Sequence, residues 1–348
     1  MPSADCRLPT ADCRVPSADP ETETETETET ETETDPDPDP DPERSATPST
    51  RPSSTATTSP EYHPNMTPPI RDDRILFVTR FLFGLFAFVV LPFFVGLTFW
   101  PEHTDANFSW PIAPRMSAMM FGSLYFAVVY GFLRVAFARK WHHVALVLWA
   151  TLPVLAMLGV VTLMHWEKFT SDPWRLGVWI TAYLVFPPVL TLLLFLNVRR
   201  DPRTPDPDDV EVPLGVRHLS IVFGLAFGAV GLALLLAPTF MATIWPWPVK
   251  KLAAQGIGCL LLAPFAVQLV ALSESRWSAI RVVTESAILW FTAIWVAVIR
   301  TFDEFDTSRP FTWVFLAFLA AEWLLATWLY LGLEARRRAR RAGPIVAT

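Results

Sequence analysis

An acidic side chain in the middle of an apolar stretch is the first residue of this sequence that points to chemistry. Glu322 lies eleven residues into the apolar segment 311–333, about 16 Å along a helix at about 1.5 Å per residue. A charge near the bilayer centre costs about 2.5–3.5 kcal/mol, so this carboxyl must face protein or water. It is a candidate proton or cation site. The alternative is a carboxyl that hydrogen-bonds a neighbouring helix and only stabilises packing.

A second group of polar residues lies in the preceding apolar segment. Arg281 and Glu285 are one helical turn apart, and Ser278 and Thr292 continue the same helix face. One hypothesis is a hydrated path along this face toward Glu322. The alternative is an internal ion pair that lowers the cost of inserting both charges.

Two adjacent prolines in the first half of the chain are expected at about the same membrane depth as Glu322. Pro187 and Pro188 lack backbone N–H donors, so they predict a break in the fourth apolar helix that frees carbonyl oxygens within the membrane. If the chain is duplicated, Glu322 corresponds to a position near Val185, next to this break. A carboxyl in one half and a broken helix in the other would suit a site near the midplane at the repeat interface.

Eight apolar segments must position these residues. Hydrophobic residues make up 52% of the chain and are gathered into these segments. Each segment is long enough to cross a hydrocarbon core of about 30 Å. The predicted fold class is an all-α integral membrane protein with eight transmembrane helices. The segments are 75–100, 115–138, 142–165, 175–198, 218–241, 251–273, 277–300 and 311–333.

The first 70 residues have a different composition. They contain seven Glu-Thr pairs and four Asp-Pro pairs, and such a segment cannot bury enough apolar surface to fold. We therefore expect residues 1–70 to be a disordered, acidic tail. Repeats this pure also make Met66 a candidate translation start.

The distribution of Lys and Arg predicts the orientation. Sixteen of these residues lie near one set of segment ends, and seven lie near the other. By the positive-inside rule, both termini, the linker 201–217 and the basic tail 336–348 are cytoplasmic. The expected location is the cell (plasma) membrane. The linker is rich in Asp and Pro, which predicts a mobile segment.

Two Trp-Pro turns indicate a duplication. Trp245-Pro246-Trp247-Pro248 lies shortly before a basic residue, as does Trp110-Pro111. Further matches, each separated by 136 residues, are Gly122 and Gly258, Trp141 and Trp277, Glu167 and Asp303, and Phe169 and Phe305. A four-helix unit starts and ends on the same side of a membrane, so the two copies would share one orientation. We predict two parallel four-helix repeats (4+4) over residues 71–200 and 218–335.

Tryptophans beside helix-ending prolines are typical of the membrane interface. Trp110, Trp245 and Trp247 are therefore predicted interface anchors, and the alternative is that they dock a protein partner. Duplicated Trp-Pro loops across eight spans resemble bacterial multi-pass membrane proteins with no known activity, over residues 71–348. This resemblance implies the topology and no chemistry.

Several functional classes lack support in the sequence. No spacing of His or Cys predicts a metal or another cofactor, and there is no ATP-binding loop, nucleophile elbow or zincin helix. The sequence thus favours neither an enzyme nor a nucleic-acid partner. The leading hypothesis is a small-solute or ion transporter or channel subunit in the lipid bilayer. The alternative is a non-catalytic membrane scaffold or assembly protein.

Overall fold

Eight long helices dominate the structure. The computed structural model describes residues 72–169, 171–203 and 205–342, and these residues form no β-strand. Each long helix is apolar enough to cross a membrane, which confirms the predicted class of multi-pass membrane protein. We number them α1 (Phe77–Phe99), α2 (Arg115–Phe137), α3 (Ala145–Met164), α4 (Pro173–Val198), α5 (Leu214–Leu236), α6 (Lys251–Ala271), α7 (Trp277–Arg300) and α8 (Pro310–Ala342). The predicted tail, residues 1–70, lies outside the described residues.

Two helix ends differ from the sequence prediction. Helix α5 ends at Leu236 instead of near residue 241, because Pro238 opens a separate short helix, Pro238–Ile244. Helix α8 continues to Ala342, through arginines predicted to form a separate tail. Arginine is a good helix former, and Arg337 in this last part is 5% exposed.

The loops lie at the two ends of the bundle, as the alternating helix directions require. One end, which we call the linker face, carries residues 138–144, 199–203, 205–213 and 272–276. The other end, the Trp-Pro face, carries residues 100–114, 165–169, 171–172, 237–250 and 301–309.

Close helix packing forms the centre of the bundle. Helix α1 packs along α2, and α5 packs along α6, while α3 contacts α6 and α7 contacts α2. Glycine allows the closest approaches: a Cβ on Gly258 would lie 2.7 Å from the carbonyl oxygen of Gly231. Helices α5 and α6 therefore approach each other at the small-residue positions typical of membrane helix pairs.

Two short backbone pairings organise the linker face. Arg74 pairs with Lys140, and Glu211 pairs with Arg276, each as an isolated antiparallel bridge. Each bridge joins the segment before one helix, α1 or α5, to the segment before another, α3 or α7. Beside the bridges, Trp141 and Trp277 are fully buried.

An aspartate next to each bridge bonds the start of the following helix. Asp73 Oδ1 accepts the backbone N–H of His142 at 3.3 Å, just before α3. Asp209 Oδ1 accepts the backbone N–H of Ser278 at 2.9 Å, in the first turn of α7. Both carboxylates thus satisfy donors at a helix N-terminus, where negative charge is also favourable.

Described residues of the segment between α4 and α5 are hydrogen-bonded to other parts of the linker face. The Asp201 carboxylate accepts two hydrogen bonds from the Arg276 guanidinium, at 3.0 and 3.1 Å. Burial raises the pKa of Asp201, but hydrogen bonds from Arg276 and the Arg203 backbone outweigh it, so the pKa lies below its ordinary value. Further along, Arg337 Nε donates to Asp208 at 2.8 Å. Composition predicted a mobile segment and could not show these partners.

Aromatic side chains fill the bundle near the Trp-Pro face. We call this group the aromatic layer: Phe108, Trp110, Phe121, Trp179, Trp245, Trp247 and Phe305, all less than 9% exposed. Their rings are in contact, with centroids 4.8 Å apart for Trp110 and Trp179 and 5.3 Å apart for Trp245 and Trp247. The ring contacts form two groups, one around Trp110 and Trp179 and one around Trp245 and Trp247, and these rings make this half of the bundle apolar.

Candidate functional site

A cavity lies at the centre of the bundle and touches all eight helices. Its volume is about 200 Å³, and its wall is mostly apolar. The outermost helices contribute few residues, whereas α2, α3, α6 and α7 supply most of the wall. A space of this size can hold several water molecules or a small solute.

The central cavity occupies only one half of the bundle. Toward the linker face it reaches Ala271, the last residue of α6, and Val147 and Ile280, both within a turn of their helix starts. Toward the other face it ends near the middle of α2 and α6, at Leu124 and Leu260, and passes the middle of α3 at Leu158. The aromatic layer lies beyond that end. The cavity is therefore one-sided.

Glu322 stands at the inner end of this cavity. It is the residue of α8 in the cavity wall that lies nearest the Trp-Pro face, followed by Leu325, Ala326 and Leu329. Its side chain is 7% exposed, and Oε1 has no hydrogen-bond partner. Buried polar atoms are nearly always hydrogen-bonded. An unpaired carboxyl oxygen in a cavity wall marks a position that can bind water, a proton or a solute.

A second unpaired polar atom lies in the same wall. Trp290 on α7 is 4% exposed, and its indole Nε1 has no partner. Other buried polar groups of the wall are hydrogen-bonded: the hydroxyls of Tyr125 and Tyr183 bond each other at 2.7 Å, and Thr284 donates to the carbonyl of Ile280 at 3.1 Å. An indole donor and a carboxyl oxygen are thus the fully buried polar atoms of this wall that lack a hydrogen-bond partner among the described residues.

Helix α4 widens where the sequence predicts a break. Residues Thr181–Val185 form a π-helical turn directly before Phe186, Pro187 and Pro188. The helix continues past the prolines, because the wider turn accommodates the missing donors without interrupting the span. Tyr183 and Phe186 from this region line the cavity. The distortion is therefore part of the cavity wall, although it is not a broken helix.

The predicted polar stripe lies outside the cavity wall. Ser278, Arg281, Glu285 and Thr292 are all missing from the wall, which α7 lines instead with a neighbouring face. Glu285 accepts Arg281 Nε at 3.0 Å and also contacts Arg134 and Tyr130 of α2. These contacts correspond to the ion-pair alternative rather than to the hydrated path.

The ends of the stripe make separate contacts. Ser278 is 2% exposed and bonds Asp209. Thr292 is exposed on the outer surface and accepts Trp323 Nε1 at 3.0 Å. The residues share one helix face, as their spacing predicts, but that face packs against α2 and α8 instead of lining a path.

The three Trp-Pro tryptophans are buried inside the protein. Trp110, Trp245 and Trp247 are 3%, 1% and 0% exposed, and Trp247 Nε1 donates to Ser117 at 2.9 Å. The role of these residues as interface anchors stays a prediction, and their side chains face the protein interior. Tryptophans at the same face that are at least 46% exposed are Trp100, Trp166, Trp174 and Trp313.

Comparisons with known proteins add no constraint. No family model, curated protein or solved structure matches the chain. The functional argument rests on the residues themselves.

A cluster of histidines and aspartates at the linker face was missed by the sequence analysis. His142, His143 and Asp206 present ligand atoms that all lie within 4.8 Å of one another. The histidines are adjacent in sequence, but Asp206 is far away along the chain, so spacing gave no metal signal. Burial raises the pKa of Asp206, but hydrogen bonds from Lys140 and His143 outweigh it and leave the pKa below its ordinary value.

Proposed function

We propose that this protein is a small-solute or ion transporter or channel subunit whose binding site is the inner end of the central cavity. The observation that carries the proposal is Glu322, a buried carboxyl near the middle of α8 with an unpaired oxygen in the cavity wall. Intramembrane acids that face a cavity are typical of ion and proton pathways. Packing alone would favour a leucine here.

The shape of the cavity supports a transport cycle. A site reached from the linker face and closed on the other side by aromatic packing corresponds to one of the two states of alternating access. In this proposal, rearrangement of the aromatic layer opens the opposite side. The scaffold alternative loses its main support, because Trp110, Trp245 and Trp247 offer no exposed surface to a partner.

The wall suggests the chemical class of the solute. Most of the wall is apolar, and its fully buried polar atoms without a hydrogen-bond partner are a Glu322 carboxyl oxygen and the Trp290 indole nitrogen. Such a site suits a proton, or a small solute with one cationic or hydrogen-bond donor group and an apolar body. In this assignment Glu322 binds the charge, Trp290 orients the solute, and Tyr125 and Tyr183 close the inner end.

We further propose that the membrane part is a parallel 4+4 duplication. The two bridges, Arg74 with Lys140 and Glu211 with Arg276, join equivalent segments of the two halves. The helix contacts repeat as well: α1 with α2 and α5 with α6, then α3 with α6 and α7 with α2. These pairs exchange under a twofold axis along the membrane normal.

Loop contacts at the Trp-Pro face support the same relation. Arg175 Nη1 donates to the carbonyls of Asp105 and Ala106 at 2.8 and 2.9 Å. Arg309 Nη1 donates to the carbonyl of Trp245 at 2.6 Å, in the corresponding loop. Aligning the starts of α4 and α8 puts Glu322 opposite Val185, and aligning the two arginines puts it opposite residue 188. Either match falls at the distorted part of α4.

The orientation belongs to the same proposal. The excess of Lys and Arg at the linker face supports a cytoplasmic location for this face and for both termini, in the plasma membrane. The cavity would then open toward the cytoplasm.

Thiol labelling tests whether the cavity holds water. Cys6 and Cys13 are replaced by serine, while Cys259, which is 0% exposed, is retained. Ala326→Cys places a thiol in the cavity wall, and Ala321→Cys, one residue before Glu322, places a thiol on the exposed side of the same helix. A water-soluble thiosulfonate should modify Ala326→Cys much faster in membranes, because only thiols in contact with water ionise and react.

Proton uptake into liposomes tests the role of the carboxyl. The protein with Cys6 and Cys13 replaced by serine should take up protons under an imposed pH gradient. Glu322→Gln in the same protein should abolish the uptake. Equal labelling of Ala326→Cys and Ala321→Cys would contradict the cavity. Labelling of Ala326→Cys together with unchanged flux in Glu322→Gln would instead remove Glu322 from the mechanism.

A further inference from the structure

The histidine and aspartate side chains at the linker face form a second possible site. His142 and His143 lie in the loop before α3, and Asp206 lies in the segment between α4 and α5. This group is outside the central cavity wall. Two imidazoles and a carboxylate are a donor set that Zn²⁺ binds in proteins.

His142 is oriented as a metal ligand is. Its ring is 1% exposed, and Nδ1 lies 2.5 Å from Asp73 Oδ2. A carboxylate only accepts, so Nδ1 carries a hydrogen, and Nε2 is the ring nitrogen that could bind a metal. That Nε2 atom is buried, has no hydrogen-bond partner and lies 3.8 Å from Asp206 Oδ1. A carboxylate on the other ring nitrogen is the usual arrangement behind a zinc-binding histidine.

His143 completes the group. Its Nε2 lies 2.7 Å from Asp206 Oδ2, with the hydrogen between them. Zn²⁺ would replace that hydrogen, with each donor about 2 Å from the metal. The donor atoms of a tetrahedral ion are then about 3.3 Å apart, so atoms within 4.8 Å of one another need to close by at most about 1.5 Å, and the displaced proton passes to solvent.

The equivalent place before α7 shows what helix capping alone requires. There Asp209 bonds the backbone N–H of Ser278 at 2.9 Å, and Ser278 Oγ bonds the same carboxylate. Asp73 makes the same backbone bond to His142. A serine is therefore sufficient for the cap, and the buried imidazole needs another explanation.

We propose that His142, His143 and Asp206 bind one zinc-class divalent cation, with Asp73 positioning His142. The ion would fasten the segment between α4 and α5 to the loop between α2 and α3. Two nearby cations compete with it. Lys140 contacts Asp206 but has a side chain that is 45% exposed, so it can turn to solvent. Arg337 lies 3.8 Å from Asp206 and makes its shorter bond, 2.8 Å, to Asp208.

The test is zinc binding to the purified full chain, without a histidine tag, after treatment with a chelator. Calorimetric titration with ZnCl₂ and metal analysis after dialysis should give one ion per chain and a higher melting temperature. His142→Ser, which introduces the residue type found at Ser278, and His143→Ala should each abolish this site. Asp73→Asn should weaken the affinity about 10- to 100-fold, as loss of an orienting carboxylate does.

Two further variants separate a built site from adventitious binding. Lys140→Gln should bind zinc more tightly than the unaltered protein, because it frees Asp206. His218→Ala, an exposed histidine at the same face, should bind as the unaltered protein does. The inference is overturned if no zinc binds, or if His142→Ser and His143→Ala bind as well as His218→Ala. Melting temperatures without zinc identify variants that fail to fold. His143→Ala should disturb folding least, because the His143 side chain is 32% exposed.

Discussion

Replacing Glu322 with leucine separates a functional carboxyl from one that only stabilises packing. In the structure this side chain is 7% exposed, and its Oε1 has no hydrogen-bond partner. An unpaired buried polar atom costs about 1–3 kcal/mol. Leucine has a similar size and no polar atom, so Glu322→Leu should leave the protein as stable as before or more stable by up to that amount.

The expected change in melting temperature follows from the size of the membrane part. For chains of about 150–250 residues, 1 kcal/mol corresponds to about 2–4 °C. A thermal melt in detergent should therefore show a melting temperature for Glu322→Leu that is unchanged or higher by up to about 12 °C. The same variant should lose proton uptake in liposomes.

Glu334 is a matched control on the same helix. It is 6% exposed, but it accepts Trp277 Nε1 at 3.3 Å and pairs with Arg281 at 3.5 Å. Hydrogen bonds to charged groups contribute about 1.5–3 kcal/mol, so Glu334→Gln should lower the melting temperature. The reasoning about Glu322 would be refuted if Glu322→Leu lowered the melting temperature as much as Glu334→Gln, because that carboxyl would then be a structural hydrogen-bonding group.

Three other substitutions test the helix contacts and the linker face by thermal melts. Glu285→Gln should cost about 1–3 kcal/mol, since it removes the charged partner that Arg134 and Arg281 share in a partly buried network; no loss would mean that the network is solvated. Gly159→Ala should destabilise the protein by about 1–3 kcal/mol, because the added Cβ would lie 2.3 Å from the Tyr183 carbonyl oxygen. Gly177→Ala is the control and should be neutral, because a Cβ at Gly177 would have no atom within 4 Å. Asp208→Asn should lower the free energy of unfolding at pH 7 by about 1–2 kcal/mol. Hydrogen bonds from Arg337 and Arg341 hold the pKa of Asp208 below its ordinary value, although burial acts in the opposite direction. A carboxylate whose pKa is lowered in the folded state stabilises the fold at pH values above its unfolded pKa of about 3.9. The difference in unfolding free energy between Asp208→Asn and the unaltered protein should therefore become smaller below about pH 4. A difference that does not change with pH would contradict the pairing of Asp208 with the arginines.

The eight spans could be read from the sequence because they depend on composition alone. Any continuous run of about 20 apolar residues must satisfy its backbone polar groups within the membrane, and a helix does so without partners. The same rule identified Glu322 as a costly residue in mid-span, before its surroundings were known. The ends were less certain where Pro238 and the arginines of α8 decided them.

Which side of each helix faces the protein could not be read in the same way. In a membrane protein, lipid and protein interior are both apolar, so hydrophobic periodicity does not separate them. For this reason Trp110, Trp245 and Trp247 were assigned to the lipid interface, although they are buried in the aromatic layer. The stripe through Arg281 and Glu285 was likewise a shared helix face whose neighbour was unknown.

Contacts between distant segments were decided only by the tertiary structure. His142, His143 and Asp206 come together because the segment between α4 and α5 folds back over the loop before α3. The cavity beside Glu322 exists because eight helices leave a space at their centre. Chemistry at both places depends on distances of a few ångströms between residues far apart in the chain. Sequence determined which segments enter the membrane, since that is a property of each segment alone, whereas the sites are properties of how the segments pack.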